Sequence, residues 1–258
     1  MASTAARRLA KRARTRNPAA PRPMPKPSAE DAPIRPLAMG RTCSRPIPGG
    51  RISARAALLF GAGLGVASFT LLSLGVNLLS AVLAMSALLF YVVVYTMWLK
   101  RSSIQNIVIG GAAGAVPPMV GWAAVTGGLD VTALYLFAVV FFWTPPHFWS
   151  LALLMRSDYA RAGVPMLPVI QGMRRTRTAI LQYTAIMIVV TLLPFCAHSF
   201  GWIYLGGAVA LDAVFLAGAV RVYSSSSGRA AARLFHFSLL YLALIFAVMA
   251  ADRVITPG

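Results

Sequence analysis

The sequence predicts an all-α polytopic membrane protein with about seven transmembrane helices. Hydrophobic residues make up 58% of the chain and charged residues only 12%, which is far from the composition of an ordinary soluble domain. Seven apolar runs approach the length of about 20 residues that crosses a hydrocarbon core roughly 30 Å thick. The connections between these runs alternate between basic segments and segments without Lys or Arg, as topology signals do.

The apolar runs follow one another closely. They lie at residues 56–75, 78–97, 105–126, 131–153, 179–200, 202–222 and 234–252. Most of the connections are too short to contain a folded domain, and backbone inside a membrane must satisfy its own hydrogen bonds. The sequence therefore predicts one compact helical bundle.

The distribution of basic residues predicts the orientation of the bundle. At the ends of the second, fourth and sixth runs and in the connections that follow them lie Lys100, Arg101, Arg156, Arg161, Arg174, Arg175, Arg177, Arg221, Arg229 and Arg233. By the positive-inside rule these connections and the amino terminus are cytoplasmic, and the carboxyl terminus is outside. We expect a multi-pass protein of the bacterial inner membrane. The alternative is the mitochondrial inner membrane, with the basic side facing the matrix.

The amino-terminal segment differs from the rest of the chain. The formal net charge is +18, but 13 of the 24 Lys and Arg fall within residues 1–55, so no nucleic-acid-binding face is indicated. We expect residues 1–40, rich in Pro, Arg and Ala, to be a disordered basic segment, and residues 41–258 to form the bundle. The first 20 residues also fit a mitochondrial transit sequence, although the prolines that follow disfavour a long amphipathic helix.

The first candidate site residues, Arg41 and Arg45, directly precede the first apolar run. If this piece is helical, the two guanidinium groups share one face and can bind two oxygens of a diphosphate. The alternative is a basic patch that binds anionic lipid headgroups, and Pro46 and Pro48 favour it.

A second group stands at the start of the third run, where Lys100 and Arg101 are followed by Gln105 and Asn106. Cations and amides at the mouth of a membrane helix can bind the charged head of a lipid-like substrate while its tail stays in apolar surroundings. The alternative is a topology anchor followed by an amide helix cap.

The third run itself contains residues that disturb or tighten helix packing. Gly110, Gly111 and Gly114 allow close helix approach, while Pro117 and Pro118 predict a break near the middle of the membrane. Because broken membrane helices line cavities more often than they face lipid, this run is a candidate cavity wall.

His147 is the third candidate, within Trp-Thr-Pro-Pro-His-Phe-Trp of the fourth run. A histidine inside a membrane helix is costly unless it is paired or used. It is a candidate to ligate a metalloporphyrin, to shuttle a proton or to bind a substrate carboxylate.

Asp158 is the fourth candidate, in the longest internal connection. It is the sole internal acid expected on the basic side, so it is a candidate to hold magnesium against a phosphate. The alternative is an ion pair with a neighbouring arginine. The six acidic residues contain no pair spaced three or four apart, so the chain has no self-contained aspartate-rich metal motif.

Taken together and in this order, these motifs resemble those of the protoheme IX farnesyltransferases, or haem O synthases, of the UbiA-like intramembrane prenyltransferase superfamily. The matching pieces are Arg-Thr-x-x-Arg-Pro-Ile-Pro, Tyr-Thr-x-Trp-Leu-Lys-Arg with Gln-Asn-Ile-Val-Ile-Gly-Gly, Trp-Thr-Pro-Pro-His-Phe-Trp, and Asp-Tyr-Ala-Arg-Ala-Gly-Val-Pro-Met-Leu-Pro. The resemblance runs from about Arg41 to the end of the chain.

The resemblance implies transfer of a farnesyl group from farnesyl diphosphate to a vinyl group of haem B, giving haem O for terminal oxidases. Haem B is then a substrate, Mg²⁺ the cofactor, and haem A synthase or oxidase assembly factors the downstream partners. Carried over by motif, the diphosphate-binding residues are Arg41, Arg45, Lys100 and Arg101. Gln105 and Asn106 would orient the substrate, His147 would act on the haem side or as acid and base, and Asp158 would contribute to the metal side.

The chain also departs from the family pattern. Members resemble nine-helix bundles that carry an Asn-x-x-x-Asp-x-x-x-Asp magnesium motif before the Arg-Thr-x-x-Arg piece, whereas residues 23–40 contain no Asn and only the adjacent acids Glu30 and Asp31. We therefore expect a seven-helix, truncated version of the bundle that lacks the amino-terminal part and has little or no activity. The alternatives are a prenyltransferase for another acceptor such as a quinone precursor, a catalytically inactive membrane homologue, and a transporter.

Overall fold

The structure, a computed structural model, describes residues 45–47, 49–225 and 227–255. Within these residues seven helices are long and apolar enough to cross a membrane, which confirms the all-α polytopic fold class. They are α1 (Ala54–Gly75), α2 (Leu78–Ser102), α3 (Asn106–Thr126), α4 (Val131–Leu154), α7 (Gly172–Cys196), α8 (Trp202–Ser224) and α9 (Gly228–Ile255). Two short helices, α5 (Arg156–Arg161) and α6 (Leu167–Ile170), lie between α4 and α7.

The observed helices are longer than the apolar runs at their basic ends. Helix α7 begins at Gly172 and α9 at Gly228, so their first turns include Arg174 and Arg229. Long basic side chains keep their charged heads in water while their stems lie along the helix, so a helix continues past its apolar run into the interface. At its other end α7 stops at Cys196, and His198 turns the chain with a positive φ of 55°.

Consecutive membrane helices run in alternating directions, which collects the basic connections at one end of the bundle. We call this end, formed by residues 99–106, 155–177, 221–225 and 227–233, the basic end. At the opposite end, acids and amides cap helices. Asp130 accepts hydrogen bonds from the backbone N–H groups of Thr132 and Ala133, and Asp252 of α9 accepts from Gly201 and Tyr204 at the start of α8.

Helix α4 is the central element of the bundle. It packs against α3, α7 and α9, and α8 closes a four-helix group by packing against both α7 and α9. Helices α1 and α2 extend outward from α3, and within the described residues α1 packs against α2 alone. This arrangement leaves a space between α2 and α9, bounded by α3 and α4.

The expected break at Pro117 and Pro118 was wrong, because α3 continues through both prolines from Asn106 to Thr126. A membrane helix can continue through prolines because the helices packed around it help to satisfy the backbone groups that the prolines free. The irregular helix is instead α2, which winds as a π-helix over Phe90–Leu99. The Thr96 hydroxyl donates to the Tyr91 carbonyl within this segment, at 2.8 Å.

Candidate functional site

A cavity of about 500 Å³ lies between α2, α3, α4 and α9. Its walls are mainly apolar, with small residues on α3 and aromatic residues on α2 and α4. The lining residues include Tyr91, Tyr95, Gly110, Gly111, Trp143 and Thr144. A mostly apolar space of this size, with few polar groups, is typical of a site for a small hydrophobic ligand.

The π-helical segment of α2 supplies the aromatic wall. Tyr91 and Tyr95 both line the cavity, and their ring centroids are 5.1 Å apart. In an α-helix, residues four apart lie nearly above one another, whereas the wider π turn changes their direction. Segments of π-helix occur frequently at functional sites, and the sequence pattern gave no indication of this one.

Two glycines of α3 let neighbouring side chains approach the helix backbone. A Cβ at Gly110 would lie 2.6 Å from Cε2 of Tyr95, and a Cβ at Gly111 would lie 2.9 Å from Cγ2 of Thr144. Real Cβ atoms do not approach other atoms this closely, so a larger residue at either position would force the neighbouring side chain to shift. The expectation of close helix approach therefore holds at Gly110 and Gly111 but not at Gly114, where a Cβ would meet nothing within 4 Å, and Gly110 leaves room for the Tyr95 ring in the cavity wall.

We expect Gly110→Ala to displace the Tyr95 ring and to destabilise the protein by about 1–3 kcal/mol, because the added methyl overpacks this contact. Gly114→Ala is the matched control, since Gly114 lines the same cavity and a Cβ there meets nothing within 4 Å. The measurement is unfolding of the purified protein in detergent. Tyr95→Val should remove most of the cost of Gly110→Ala in a double-mutant cycle, and equal costs at the two glycines would contradict this account.

Trp143 connects the cavity to His147. Its ring lines the cavity, its Nε1–H donates to the Ser238 carbonyl at 2.8 Å, and it stacks on the His147 ring with centroids 4.4 Å apart. Phe235 covers the other face of the imidazole at 4.7 Å, and His147 is only 6% exposed. His147 therefore lies behind the cavity wall and does not line the cavity itself.

The hydrogen bonds around Ser238 indicate the proton position on His147. The Ser238 hydroxyl donates to the Phe235 carbonyl at 2.6 Å and also lies 2.6 Å from Nδ1 of His147. A hydroxyl has one proton to donate. Because Ser238 donates that proton in its hydrogen bond to the Phe235 carbonyl, Ser238 Oγ accepts a hydrogen bond from Nδ1–H of His147. This tautomer leaves the lone pair of Nε2 as the basic site of the imidazole.

The cations and amides that we expected at the mouth come soon after the cavity-lining residue Tyr95 in the sequence. Lys100 and Arg101 come little more than one turn after Tyr95 and are both exposed, as is Gln105. Asn106 is only 1% exposed, and its Nδ2 donates to the Lys100 carbonyl at 3.4 Å. Its Oδ1 is one of three buried side-chain atoms without a hydrogen-bond partner among the described residues, which leaves an acceptor unsatisfied beside the cavity.

Asp158 is paired, as the alternative interpretation proposed. One of its oxygens accepts a hydrogen bond from the Arg161 guanidinium within α5, in the one salt bridge found among the described residues. Nearby, Arg156 donates from Nε to the Pro168 carbonyl at 3.0 Å, which ties α5 to α6.

The Arg41 and Arg45 prediction is covered only in part. Arg41 lies outside the described residues, as do residues 1–40 with Glu30 and Asp31. Arg45 is exposed, and its carbonyl accepts a hydrogen bond from Gly49 in a turn. The described part of this piece is therefore a turn, so a shared helical face for the two arginines is not observed.

The sequence places this architecture in a known family. Residues 35–245 match the UbiA prenyltransferase family. The chain belongs to the UbiA prenyltransferase family. A solved structure titled as digeranylgeranylglyceryl phosphate synthase in membranes has the same fold as this UbiA member, with a TM-score of 0.68 at 19% identity over 84% of this chain and 77% of that chain.

Curated relatives of this UbiA chain are named protoheme IX farnesyltransferase, which confirms the resemblance found in the four motifs. The relative from Roseiflexus sp. (strain RS-1) is 54% identical over 217 residues, covering 84% of this chain and 41% of the relative. The relative from Gluconacetobacter diazotrophicus is 54% identical over 224 residues, covering 83% of this chain and 71% of the relative. The chain thus spans less than half of the first relative's length.

The residues described for this UbiA chain do not by themselves form a magnesium site. Across residues 45–47, 49–225 and 227–255, no three His, Cys, Asp or Glu side chains cluster to hold a metal ion. Asp158 is the described carboxylate at the basic end, and Arg161 binds one of its oxygens. Mg²⁺ prefers several oxygen ligands in octahedral geometry, so a single engaged carboxylate does not fit it.

Two buried polar residues carried no signal in the sequence, namely Ser238 beside the site and Asp212 elsewhere in the bundle. Ser238 fixes both Trp143 and His147, although it lies 91 residues from the histidine. A lone serine in an apolar run carries no signal of such a role. Asp212, one of the six acidic residues, is 3% exposed and accepts hydrogen bonds from two hydroxyl groups on neighbouring helices.

Proposed function

We propose that this chain transfers a farnesyl group from farnesyl diphosphate to a vinyl group of haem B, giving haem O for terminal oxidases. The observation that carries the proposal is an apolar cavity with the aromatic wall residue Tyr95, after which Lys100 and Arg101 are exposed little more than one turn further along the same helix. An isoprenoid chain fits the apolar walls, and its diphosphate meets the cations at the mouth. The names of the relatives at 54% identity support the same reaction.

In the proposed reaction, the bond between C1 of the farnesyl group and the diphosphate oxygen breaks, and the electron pair leaves with the diphosphate. The allyl cation forms a carbon–carbon bond with the terminal vinyl carbon of haem B. Water then adds to the resulting cationic carbon and loses one proton, which produces the hydroxyethylfarnesyl side chain. The groups that stabilise the leaving diphosphate matter most, because that is where negative charge develops.

We assign roles to this chain's residues accordingly. Lys100 and Arg101 bind the diphosphate, with Arg41 and Arg45 as further cations for it. Gln105 and Asn106 orient the substrate as amide donors, and the Gln105 amide is exposed. His147 holds Trp143 in the cavity wall and keeps Nε2 as a basic site for the proton that is released. Asp158 holds Arg161 at the mouth.

Magnesium remains a prediction from the resemblance, and no step above depends on it. We also propose that the basic end faces the cytoplasm of a bacterium and that the chain lies in the inner membrane, because Lys and Arg concentrate at that end. Haem A synthase or oxidase assembly factors remain the expected partners.

We expect the 258-residue chain to convert haem B and farnesyl diphosphate into haem O more slowly than the Gluconacetobacter relative, because one engaged carboxylate gives weak support to any metal at the diphosphate. The test is chromatographic detection of haem O after reconstitution of either protein in lipid vesicles, with and without Mg²⁺. Turnover equal to that of the relative would contradict the expected slow rate while supporting the reaction.

Two further assays distinguish the competing functions. Prenylation of a quinone precursor without haem O formation would show that the quinone precursor is the acceptor in place of haem B. Haem B binding, detected by a shift of its Soret band, without any turnover would favour an inactive membrane homologue. Absence of both haem binding and prenyl transfer would reject the proposal.

A further inference from the structure

We propose that a groove between α8 and α9 binds the headgroup of an anionic phospholipid at the basic end, with the acyl chains lying along the two helices. The groove has a volume of about 760 Å³ and is larger than the central cavity. The two spaces share no lining residue, so the groove is separate from the site proposed for prenyl transfer.

Three guanidinium groups surround the headgroup end of the groove. Arg221 comes from the last turn of α8, and Arg229 and Arg233 come from the first turns of α9. Arg229 and Arg233 are four residues apart and therefore lie on one face of α9. All three residues are exposed, so their charged ends are accessible from the interface.

No carboxylate among the described residues neutralises this charge. Asp158 is paired with Arg161, Asp212 is buried in its own network, and Asp130 and Asp252 cap helices at the opposite end. The described part of the groove therefore carries three positive charges without a matching anion. A phosphate group is the complementary partner, since guanidinium groups bind phosphate oxygens with two parallel hydrogen bonds.

Two serines add hydroxyl donors at the same position. Ser225 Oγ accepts a hydrogen bond from the Ser227 backbone N–H at 3.1 Å, and Ser227 Oγ accepts from the Arg229 N–H at 3.2 Å. Both hydroxyl groups line the groove, and accepting these bonds leaves their protons to donate to a phosphate oxygen.

The remainder of the groove is apolar and faces outward. Val214 and Ala217 of α8 are exposed, and Phe237 of α9 forms the other side. At Gly218 the helices approach closely, because a Cβ there would lie 3.0 Å from Cδ1 of Leu234. The groove therefore has an apolar floor that continues from the basic end toward the membrane interior.

This combination of surfaces matches a membrane lipid better than a free anion. A free phosphate would use the arginines and leave the apolar length empty, whereas a phospholipid occupies both parts. Basic pockets between membrane helices on the cytoplasmic side bind anionic headgroups, and that leaflet supplies such lipids. The occupant we assign is thus an anionic phospholipid of the leaflet at the basic end.

The test compares retention of phosphatidylglycerol and phosphatidylcholine by the purified full chain, using native mass spectrometry. We expect selective retention of phosphatidylglycerol, and Arg229→Gln with Arg233→Gln should weaken it by about tenfold or more, at about 1 kcal/mol for each cation. The matched control removes two other exposed cations of the basic end, by Arg174→Gln with Arg175→Gln, and should retain the lipid.

A second pair of variants tests the apolar part without changing charge. Ala217→Trp should fill the groove and reduce retention, whereas Val220→Trp, at an exposed α8 position outside the groove, should not. Equal retention of both lipids by the wild type, or equal loss in both double arginine variants, would overturn the proposal. Displacement of phosphatidylglycerol by inorganic phosphate or farnesyl diphosphate, or an arginine-dependent dimer in the spectra, would assign the groove to that occupant instead.

Discussion

Asp212→Leu is expected to lower the free energy of unfolding by about 1–3 kcal/mol, which is the cost of leaving a buried donor unsatisfied. Asp212 lies in α8 and is 3% exposed. Its Oδ1 accepts a hydrogen bond from the Tyr241 hydroxyl of α9 at 2.7 Å, and its Oδ2 accepts from the Thr191 hydroxyl of α7 at 2.7 Å. The carboxyl group therefore joins three helices in apolar surroundings.

The two donors would respond differently to the loss of Asp212. The Thr191 hydroxyl is also 2.9 Å from the Ile188 carbonyl, which can accept its proton. Tyr241 is 0% exposed and has Asp212 as its recorded acceptor, so its hydroxyl is the group left unsatisfied. Unfolding of the purified protein by sodium dodecyl sulfate, followed through its helicity, measures the change.

Two variants make this prediction specific. Asp212→Asn should be close to the wild type, because its Oδ1 still accepts from Tyr241 while Thr191 donates to Ile188 and accepts from the amide. In the Asp212→Leu background, Tyr241→Phe should recover much of the lost free energy of unfolding, since it removes the hydroxyl that has no acceptor. If Asp212→Asn is as unstable as Asp212→Leu, the hydrogen-bond account is wrong.

We expect Lys100→Ala with Arg101→Ala to raise the Kd for farnesyl diphosphate about a hundredfold. A hydrogen bond to a charged group contributes about 1.5 kcal/mol, and each 1.4 kcal/mol is about tenfold in affinity. Both side chains are exposed at the end of α2, beyond the cavity wall formed by Tyr95. Competition with a fluorescent farnesyl diphosphate analogue, in vesicles without haem, measures the Kd independently of turnover.

Two controls separate diphosphate binding from the alternative, a topology anchor. Farnesol, which has the same chain and no charge, should bind the wild type and the double variant equally. Arg174→Ala with Arg175→Ala removes two exposed cations of the basic end that follow no cavity-lining segment, and it should leave the Kd for farnesyl diphosphate within a few-fold of the wild type. If the double variant loses affinity for farnesol as strongly as for farnesyl diphosphate, the variant is misfolded and the loss does not reflect a specific role of Lys100 and Arg101 in diphosphate binding.

The sequence predicted the seven membrane helices because their lengths and charges reflect the membrane itself. Apolar runs near 20 residues and basic connections are local features that need no knowledge of packing. The sequence-based predictions were wrong where helix packing or access to water determines where a helix begins or breaks. The basic first turns of α7 and α9 were assigned to connections, and Pro117 and Pro118 were expected to break a helix that continues through both.

The candidate site was also predicted only in part from the sequence. Lys100, Arg101 and Asn106 could be grouped from spacing, since a three-residue connection brings the ends of α2 and α3 together. For Asp158 the sequence left two roles open, a metal ligand or an ion pair. The structure records the ion pair with Arg161, which is a matter of side-chain placement within α5.

By itself, the sequence determined that this chain is a membrane helical bundle of the prenyltransferase kind with cations at one end, because composition and motifs express chemistry residue by residue. Tertiary structure alone decided which residues meet. It placed Trp143 in a cavity wall with His147 behind it, set Ser238 against both, and joined Asp212 to Tyr241. The contacts of Ser238 and Asp212 join positions 29 to 95 residues apart, and they exist only because α4, α8 and α9 pack together in the folded bundle.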